Sequence, residues 1–266
     1  MINRVASNFD GGKMTETINK LVEMSRYLGD PARDFAILGE GNTSARIDDD
    51  SFMVKASGTT LATIEASGFV KVSISKLLPV LDDPSAGDDD VSQALKEALL
   101  HPGETRRPSV ETMLHAILLQ IPEIAFVGHA HPVHCNMVLC SKVAEEAATG
   151  RIFPDQIVSM GPKSIFVPYV DPGLPLAREV KKRLHAFVEA EGMLPRVIMM
   201  QNHGVITMGD SPKAVLSCME MTEKAARVLV GTYAMGGPNF MPPEQVERIY
   251  SRPDEKYRLA SIAGTK

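Results

Sequence analysis

Short apolar or alternating stretches predict a series of β-strands along the chain. Successive side chains of a strand point to opposite faces, so alternation with a period of two, or a brief apolar run bounded by turn residues, indicates a strand. Such stretches occupy residues 35–38, 44–47, 52–55, 69–73, 124–127, 165–170, 197–200 and 205–208. The acidic turn at 48–50 joins two of them directly, which favours antiparallel pairing.

Apolar residues at helical spacing predict helices between the strands. The helical patterns cover residues 14–29, 74–81, 92–100, 133–141, 175–190 and 212–235, with one further helix opened by Ser109. Ser92, Ser109 and Ser211 are the expected N-caps, because a serine hydroxyl accepts a hydrogen bond from a free N–H of the first turn. No internal repeat or linker divides the chain, so residues 1–266 are expected to form one domain. The proline-bearing segment 236–266 is expected to be loosely packed or to contact another subunit.

Composition excludes several functional classes. The net charge of −5 and the lack of a basic run interleaved with aromatic residues argue against nucleic-acid binding. Apolar stretches are shorter than the ~20 residues of a membrane span, and the N-terminus lacks the apolar core of a secretory signal, so a cytoplasmic location is expected. Three cysteines without a Cys-x-x-Cys pair fit reduced thiols.

Two histidines separated by one residue follow the apolar run at 124–127. Residues two apart in a strand project to the same side, so His129 and His131 have the spacing of metal ligands. His203 follows another apolar run, at 197–200, and is the best candidate for a third ligand. The alternative is that each histidine is a hydrogen-bonded core residue, which is common for an isolated histidine in an apolar region.

Two loops and one glutamate also carry candidate chemistry. Residues 39–46 and 55–60 combine glycine with asparagine, serine and threonine, which suits the binding of a phosphate or carboxylate but is also typical of ordinary turns. The first loop lacks the third glycine of a dinucleotide fingerprint and leads into a strand. Glu111 is expected in the first turn of its helix, where the helix dipole favours a carboxylate whether or not it is catalytic. His115, one turn later, is expected to make a supporting contact.

Taken in order, these segments resemble the class II aldolase/adducin family, which includes fuculose and rhamnulose phosphate aldolases. The resemblance extends over about residues 14 to 235. Its motifs are Gly41-Asn42-Thr43-Ser44-Ala45-Arg46, Ala56-Ser57-Gly58, Pro108-Ser109-Val110-Glu111, His129-Ala130-His131, Pro168-Tyr169 and Asn202-His203-Gly204.

The resemblance implies a fold and a set of site residues. The expected fold is a three-layer αβα domain of the α/β class with a central, mainly antiparallel sheet. Zn²⁺ is the expected cofactor, with Co²⁺, Mn²⁺ and Fe²⁺ as alternatives, held by His129, His131 and His203. Glu111 is the implied acid/base, and Tyr169 is the implied proton donor to the leaving aldehyde, contributed by a neighbouring subunit of a homotetramer. A phosphate cradle is implied at Asn42, Ser57, Gly58 and Ser109.

The implied activity is a reversible retro-aldol cleavage of a ketose, expected to be a ketose phosphate, through a metal-stabilised enediolate. Some family members have a second serine immediately before the glutamate, where this chain has Val110, so one phosphate donor is missing. Either Arg106 or Arg107 compensates for this donor, or the substrate lacks phosphate. The same metal frame serves sugar-phosphate epimerases and sugar-acid phosphate decarboxylases. A non-catalytic adducin-like binding module is a further alternative, disfavoured by the complete histidine set. An iron oxygenase fits less well, since that chemistry uses two histidines and one carboxylate.

Overall fold

A seven-stranded sheet forms the centre of the protein. The computed structural model describes residues 6–255 and 257 of the 266-residue chain. In chain order the strands are β1 Asn42–Arg46, β2 Ser51–Lys55, β3 Phe69–Ser73, β4 Phe126–Ala130, β5 Ile165–Val167, β6 Val197–Met200 and β7 Gly204–Gly209. Their spatial order is β3-β2-β1-β4-β7-β6-β5. All neighbours pair antiparallel except β5 and β6, which are parallel, so the predicted mainly antiparallel sheet is confirmed.

Ten helices flank the sheet within the described residues. They are α1 Ala6–Leu28, α2 Ile74–Asp82, α3 Asp88–Glu97, α4 Thr112–Leu119, α5 Val133–Leu139, α6 Ala144–Thr149, α7 Pro154–Met160, α8 Leu174–Glu191, α9 Pro212–Ala234 and α10 Pro243–Ser251. Single 3₁₀ turns lie at Leu61–Thr63 and Ala66–Gly68.

The alternation along the central strands gives the sheet two apolar faces. In β6, Ile198 and Met200 pack into a core with α2, α3, α4 and α8, whereas Val197 and Met199 pack into a second core with α5, α6 and α9. Because both faces of the central strands are buried, these strands are continuously apolar in sequence. The predicted three-layer αβα architecture is confirmed.

The strand predicted at residues 35–38 is wrong. This segment is irregular, and Leu38 has a left-handed backbone with φ of 52°, which no regular strand accommodates. The segment instead lies against the end of β4, where the N–H of His131 donates to the carbonyl of Phe35 at 2.7 Å. Apolar composition alone therefore misassigned a loop that borders the candidate site.

Two of the three predicted helix caps are also wrong. Ser92 lies inside α3, which begins at Asp88 because Gly87 is its N-cap and acidic residues fill its first turn. Ser109 precedes α4 by a turn: its Oγ accepts from the N–H of Glu111 at 3.3 Å, and Glu111 itself occupies the N-cap position, not the first helical turn. The Ser211 cap of α9 is confirmed, since its Oγ accepts from the N–H of Ala214 at 3.3 Å.

The segment after α9 packs against α6 and α7 over its described part. The N–H of Met241 donates to the carbonyl of Arg151 at 2.7 Å, Phe240 covers Gly150, and Val246 of α10 is buried. A contact between this segment and another subunit stays a prediction, as does the single-domain organisation of residues 1–266.

The packing of Phe240 on Gly150 gives a test of this docking. Gly150 has φ of −68°, which alanine adopts freely, but a methyl group there would overlap the Phe240 ring. We expect Gly150→Ala to lower the free energy of unfolding by about 1–3 kcal/mol through overpacking. Gly231→Ala, within α9, is the control and should not lower the free energy of unfolding, because nothing lies near the added methyl. Calorimetry measures both variants, and equal melting temperatures would show that Phe240 does not dock here.

Candidate active site

The pairing of β4 with β1 and β7 gathers the predicted metal ligands at one sheet edge. His129 is opposite Asn42 of β1, and Ala130 is opposite Val205 of β7, so the end of β4 lies beside the β6–β7 turn that carries His203. The ligand atoms of His129, His131 and His203 all lie within 4.8 Å of one another. Ring centroids of the three imidazoles are separated by 4.8 to 5.3 Å.

The hydrogen bonding of His129 leaves a ring nitrogen free to bind a cation. Its Nδ1–H donates to the carbonyl of Val205 at 3.0 Å, which leaves a lone pair on Nε2 of the neutral ring. Burial lowers the pKa of His129 to about 4, and burial together with His129 and His203 lowers that of His131 to about 4. Both rings are therefore neutral at pH 7, as metal ligation requires.

The spacing of the nitrogens fits a divalent ion. Nε2 of His129 and Nε2 of His131 are 3.0 Å apart. Bonds of about 2.1 Å to a tetrahedral zinc place two nitrogens roughly 3.4 Å apart, close to this separation. Three imidazoles leave a further coordination position for substrate, the arrangement of a catalytic rather than a structural site.

Two glycines make this close approach of the strands possible. A Cβ on Gly204 would lie 2.5 Å from Cδ2 of His131 and 2.7 Å from the carbonyl oxygen of Ala130. Gly41 has φ of +66°, and a Cβ there would lie 2.6 Å from the carbonyl oxygen of His129. Any larger residue at either position would push the histidine-bearing strand end away from its neighbours.

Glu111 lies directly beside the three imidazoles. Its Oε1 is 3.0 Å from Nε2 of His203 and 3.7 Å from Nε2 of His129, while its Oε2 accepts a hydrogen bond from the amide of Asn42. Burial raises its pKa, but the neighbouring imidazoles and the Asn42 amide outweigh burial and hold the pKa well below the usual range. The side chain makes no cap hydrogen bond to its helix, so it points to the site rather than to the α4 terminus.

Asn42 and His115 support this carboxylate from behind. The buried His115 contacts Oδ1 of Asn42 through Nε2 and Oγ of Ser44 through Nδ1 at 2.6 Å, as expected for a supporting residue. The amide of Asn42 is thus engaged by Glu111 and His115. A phosphate-binding role for Asn42 stays a prediction.

The remaining residues of the predicted phosphate cradle come from two segments, 56–58 and 108–109, which lie next to each other. The N–H of Ser57 donates to the carbonyl of Arg107 at 2.8 Å, and Ala56 forms a β-bridge with Pro108. Ser57 and Gly58 are exposed, whereas Ser109 is half-buried. Binding of phosphate by Ser57, Gly58 and Ser109 stays a prediction.

Lys55 is a candidate residue that sequence reasoning missed. It ends β2, it is only 5% exposed, and its Nζ donates to the carbonyl of Gly39 at 3.2 Å. Burial lowers its pKa, and the negative charge of Glu111 partly opposes this shift. The available sequence signal was a lysine that ends an otherwise apolar strand immediately before the Ala56-Ser57-Gly58 segment.

Glu40 and His134 also lie near the three clustered histidines, in space or in sequence. Oε1 of Glu40 is 3.7 Å from Nδ1 of His131, a contact that sequence reasoning did not predict. His134 pairs with α9, because its Nδ1 is 2.5 Å from Oε1 of Glu223, whose Oε2 accepts from the N–H of Cys135. This pairing anchors the chain immediately after His131.

Tyr169 lies on an exposed loop after β5. Its N–H donates to Oε1 of Gln201 at 3.2 Å, and its hydroxyl donates to Asp171 at 3.3 Å. Gln201 is two residues before His203, so this loop borders the turn that carries the third histidine. The proton-donor role of Tyr169, and its contribution to a neighbouring subunit, stay predictions.

Comparison with known proteins assigns the chain to one family. Residues 19–230 match the model of the class II aldolase and adducin N-terminal domain family, so the chain belongs to this family. An L-fuculose 1-phosphate aldolase structure has the same fold, with a TM-score of 0.67 and 18% identity over 92% of this chain and 97% of that one. The N-terminal class II aldolase domain of a conserved protein from Thermoplasma acidophilum superposes with a TM-score of 0.64 and 27% identity, over 80% of this chain and 93% of that one.

Curated relatives differ in their named activities. An uncharacterized oxidoreductase of Bacillus subtilis, YuxG, is 24% identical over 93% of this chain, which spans only 35% of that protein. A methylthioribulose-1-phosphate dehydratase of Microcystis aeruginosa is 26% identical over 76% of this chain and 92% of its own. A 3-oxo-tetronate 4-phosphate decarboxylase of Haemophilus influenzae is 24% identical over 81% and 88%, respectively. Family members are therefore enzymes of several reaction types.

Within residues 6–255 and 257, no helix is both long enough and apolar enough to cross a bilayer.

The triad geometry predicts a specific loss of metal. We expect His203→Ala to weaken zinc binding by at least roughly tenfold, because one of three ring nitrogens is removed. His185→Ala, on the exposed face of α8, is the control and should bind zinc like the unaltered chain. Isothermal titration with Zn²⁺ and elemental analysis after dialysis measure the effect. Equal affinity in the two variants would remove His203 from the site.

Proposed function

We propose that this protein is a divalent-metal-dependent aldolase that cleaves a ketose phosphate reversibly. The observation that carries the proposal is the ionised Glu111 carboxylate held beside the clustered imidazoles of His129, His131 and His203. A divalent ion bound there would supply Lewis-acid polarisation of a substrate carbonyl. Zn²⁺ is the proposed ion, since the imidazole set suits it, with Co²⁺, Mn²⁺ and Fe²⁺ as alternatives.

Glu111 is the proposed general acid/base. Cleavage of the carbon–carbon bond next to a polarised carbonyl leaves negative charge on the neighbouring carbon, which has to be protonated before the product leaves. A carboxylate in contact with the metal ligands is close enough to carry that proton, and it removes the same proton in the condensation direction. Tyr169 is the proposed acid/base for the other fragment: it takes the proton of the hydroxyl that becomes the aldehyde in cleavage, and it donates that proton to the aldehyde oxygen in condensation.

The position of Lys55 supports the proposal that the substrate is anionic. Val110 removes one of the hydroxyl donors expected in a phosphate cradle, and Arg106 is already paired with Glu104 at 2.5 Å. The side chain of Lys55 is instead buried, its Nζ donates to the carbonyl of Gly39, and it precedes the Ser57 and Gly58 loop. We therefore assign the compensating charge to Lys55 rather than to Arg106, with phosphate or carboxylate as the group that it binds.

A second candidate reaction is the decarboxylation of a sugar-acid phosphate. Two 3-oxo-tetronate 4-phosphate decarboxylases among the relatives favour it. Loss of CO₂ from a β-keto acid also leaves negative charge beside a carbonyl, so the same metal site and Glu111 would serve. Sugar-phosphate epimerisation uses the same frame, and an adducin-like binding role remains the non-catalytic alternative. A homotetramer, by family resemblance, and the cytoplasmic location expected from the sequence complete the proposal.

The decisive experiment is a product-resolved screen. The zinc-loaded protein is incubated with ketose phosphates, ketoses and sugar-acid phosphates, and products are resolved by mass spectrometry. Aldol cleavage gives two carbonyl fragments, decarboxylation gives CO₂, dehydration gives loss of water, and epimerisation conserves the mass. We expect two fragments from a ketose phosphate; release of CO₂ alone would transfer the proposal to the second candidate, and no turnover of any substrate would contradict both.

Replacing Glu111 tests its role as the proton carrier. We expect Glu111→Gln to lower kcat by about 10²- to 10⁴-fold, because glutamine keeps the size of the side chain but cannot exchange a proton. Zinc content should be unchanged. Glu123→Gln, an exposed glutamate outside the site, is the control. A Glu111→Gln variant with unaltered kcat and full zinc content would show that another group carries the proton.

Replacing Lys55 tests the nature of the substrate. We expect Lys55→Met to raise KM for the phosphorylated substrate at least roughly tenfold, since methionine keeps the apolar stem and removes the charge. The effect on the unphosphorylated sugar should be small. Lys71→Met on the neighbouring strand β3 is the control, because Lys71 pairs with Asp48 at the surface. Equal changes in KM for the phosphorylated and the unphosphorylated sugar would mean that Lys55 does not bind the phosphate.

A further inference from the structure

A continuous chain of polar contacts runs through the buried side of the site. Ser44 Oγ lies 2.6 Å from Nδ1 of His115, Nε2 of His115 contacts Oδ1 of Asn42, and the amide nitrogen of Asn42 donates to Oε2 of Glu111. Ser44, Asn42 and His115 are buried. We call these four residues the Ser44–Glu111 relay.

The relay has only one consistent set of proton positions. A carboxylate is an acceptor, so Asn42 must present its amide nitrogen to Glu111 and its oxygen to His115. Nε2 of His115 must then carry a hydrogen. Complete burial lowers the pKa of His115 to about 4, so the ring is neutral and Nδ1 has a lone pair. Ser44 therefore donates its hydroxyl hydrogen to Nδ1.

This directionality gives His115 a specific task. Asparagine has an oxygen and a nitrogen of nearly equal size, so packing alone does not decide which of them faces Glu111. An oxygen facing the carboxylate would repel it. Nε2 of His115 carries a hydrogen and can only donate, so it can bond the asparagine oxygen but not the asparagine nitrogen. This contact fixes the orientation of the Asn42 amide.

We propose that His115 is a positioning residue that fixes the orientation of the Asn42 amide and thereby holds Glu111 against His203 and His129. The role rests on the proposed function of Glu111 as the proton carrier. His115 donates from Nε2 to the oxygen of Asn42 and accepts from Ser44 at Nδ1, and Asn42 in turn donates to one carboxylate oxygen. The other oxygen of Glu111 is left 3.0 Å from the His203 ring.

A purely structural role would make different demands on this position. His115 lies in α4 among buried apolar residues, so a space-filling role would be met by any residue of similar size and shape. Phenylalanine fills the space but neither donates nor accepts. Glutamine donates through its amide nitrogen and accepts through its oxygen, so it can replace both contacts of the imidazole.

The experiment compares His115→Phe, His115→Gln and Asn42→Ala in the zinc-loaded protein. We expect His115→Phe to lower kcat at least roughly tenfold with unchanged zinc content, and His115→Gln to recover most of that loss. In Asn42→Ala the added His115→Phe change should cost nothing further, because the two residues act in series. Independent, additive losses would overturn the proposal, as would equal activities of the phenylalanine and glutamine variants.

Two further measurements test the relay independently of the proposed function of Glu111. Nitrogen NMR of histidine-labelled protein should show Nε2 of His115 protonated and Nδ1 unprotonated; the opposite tautomer would overturn the relay irrespective of activity. Thr43→Val is the matched control, since Thr43 bonds Ser25 at 2.6 Å outside the relay, and it should leave kcat unchanged. If Glu111→Gln retains full activity, the proposed function fails, whereas the tautomer measurement still tests the relay.

Discussion

The antiparallel pairing of β4 with both β1 and β7 is the constraint on which the site depends. It sets Asn42 opposite His129 and places the β6–β7 turn beside the end of β4. A slip of one residue in either pairing would turn His129 to the other face of the sheet, because side chains alternate along a strand. Gly204 permits this register, since a side chain there would collide with His131 and with the Ala130 backbone.

The electrostatics of the site follow from burial. Burial by itself raises the pKa of Glu111, because desolvation disfavours charge. Glu111 stays ionised because the imidazoles and the Asn42 amide face it. For His129 and His131 burial is the dominant effect, and it disfavours their charged forms. A negative carboxylate beside neutral ring nitrogens is suited to a cation, which compensates the charge and occupies the lone pairs.

The metal site of this family is compatible with several reactions, so the residues that select one reaction are expected around the site. Relatives that share this fold are named as a dehydratase, decarboxylases and an aldolase. All of these reactions make use of a polarised carbonyl, so the metal frame alone does not choose between them. We propose that this choice falls to residues around the metal site, with Val110, Lys55 and the exposed loop of Tyr169 as the candidates here.

The sequence by itself determined the α/β class, most of the strands, and the three histidines with Glu111, because His-x-His after an apolar run and the ordered family motifs are local patterns. It misassigned residues 35–38, since apolar composition does not reveal the left-handed backbone of Leu38. It also misplaced the Ser92 and Ser109 caps, where several polar residues compete for one helix start. Only the tertiary structure decided that Lys55 is buried beside the cradle loop and that Asn42 is shared between Glu111 and His115. These contacts join residues up to 73 positions apart, and no local pattern encodes which distant partner a polar side chain meets.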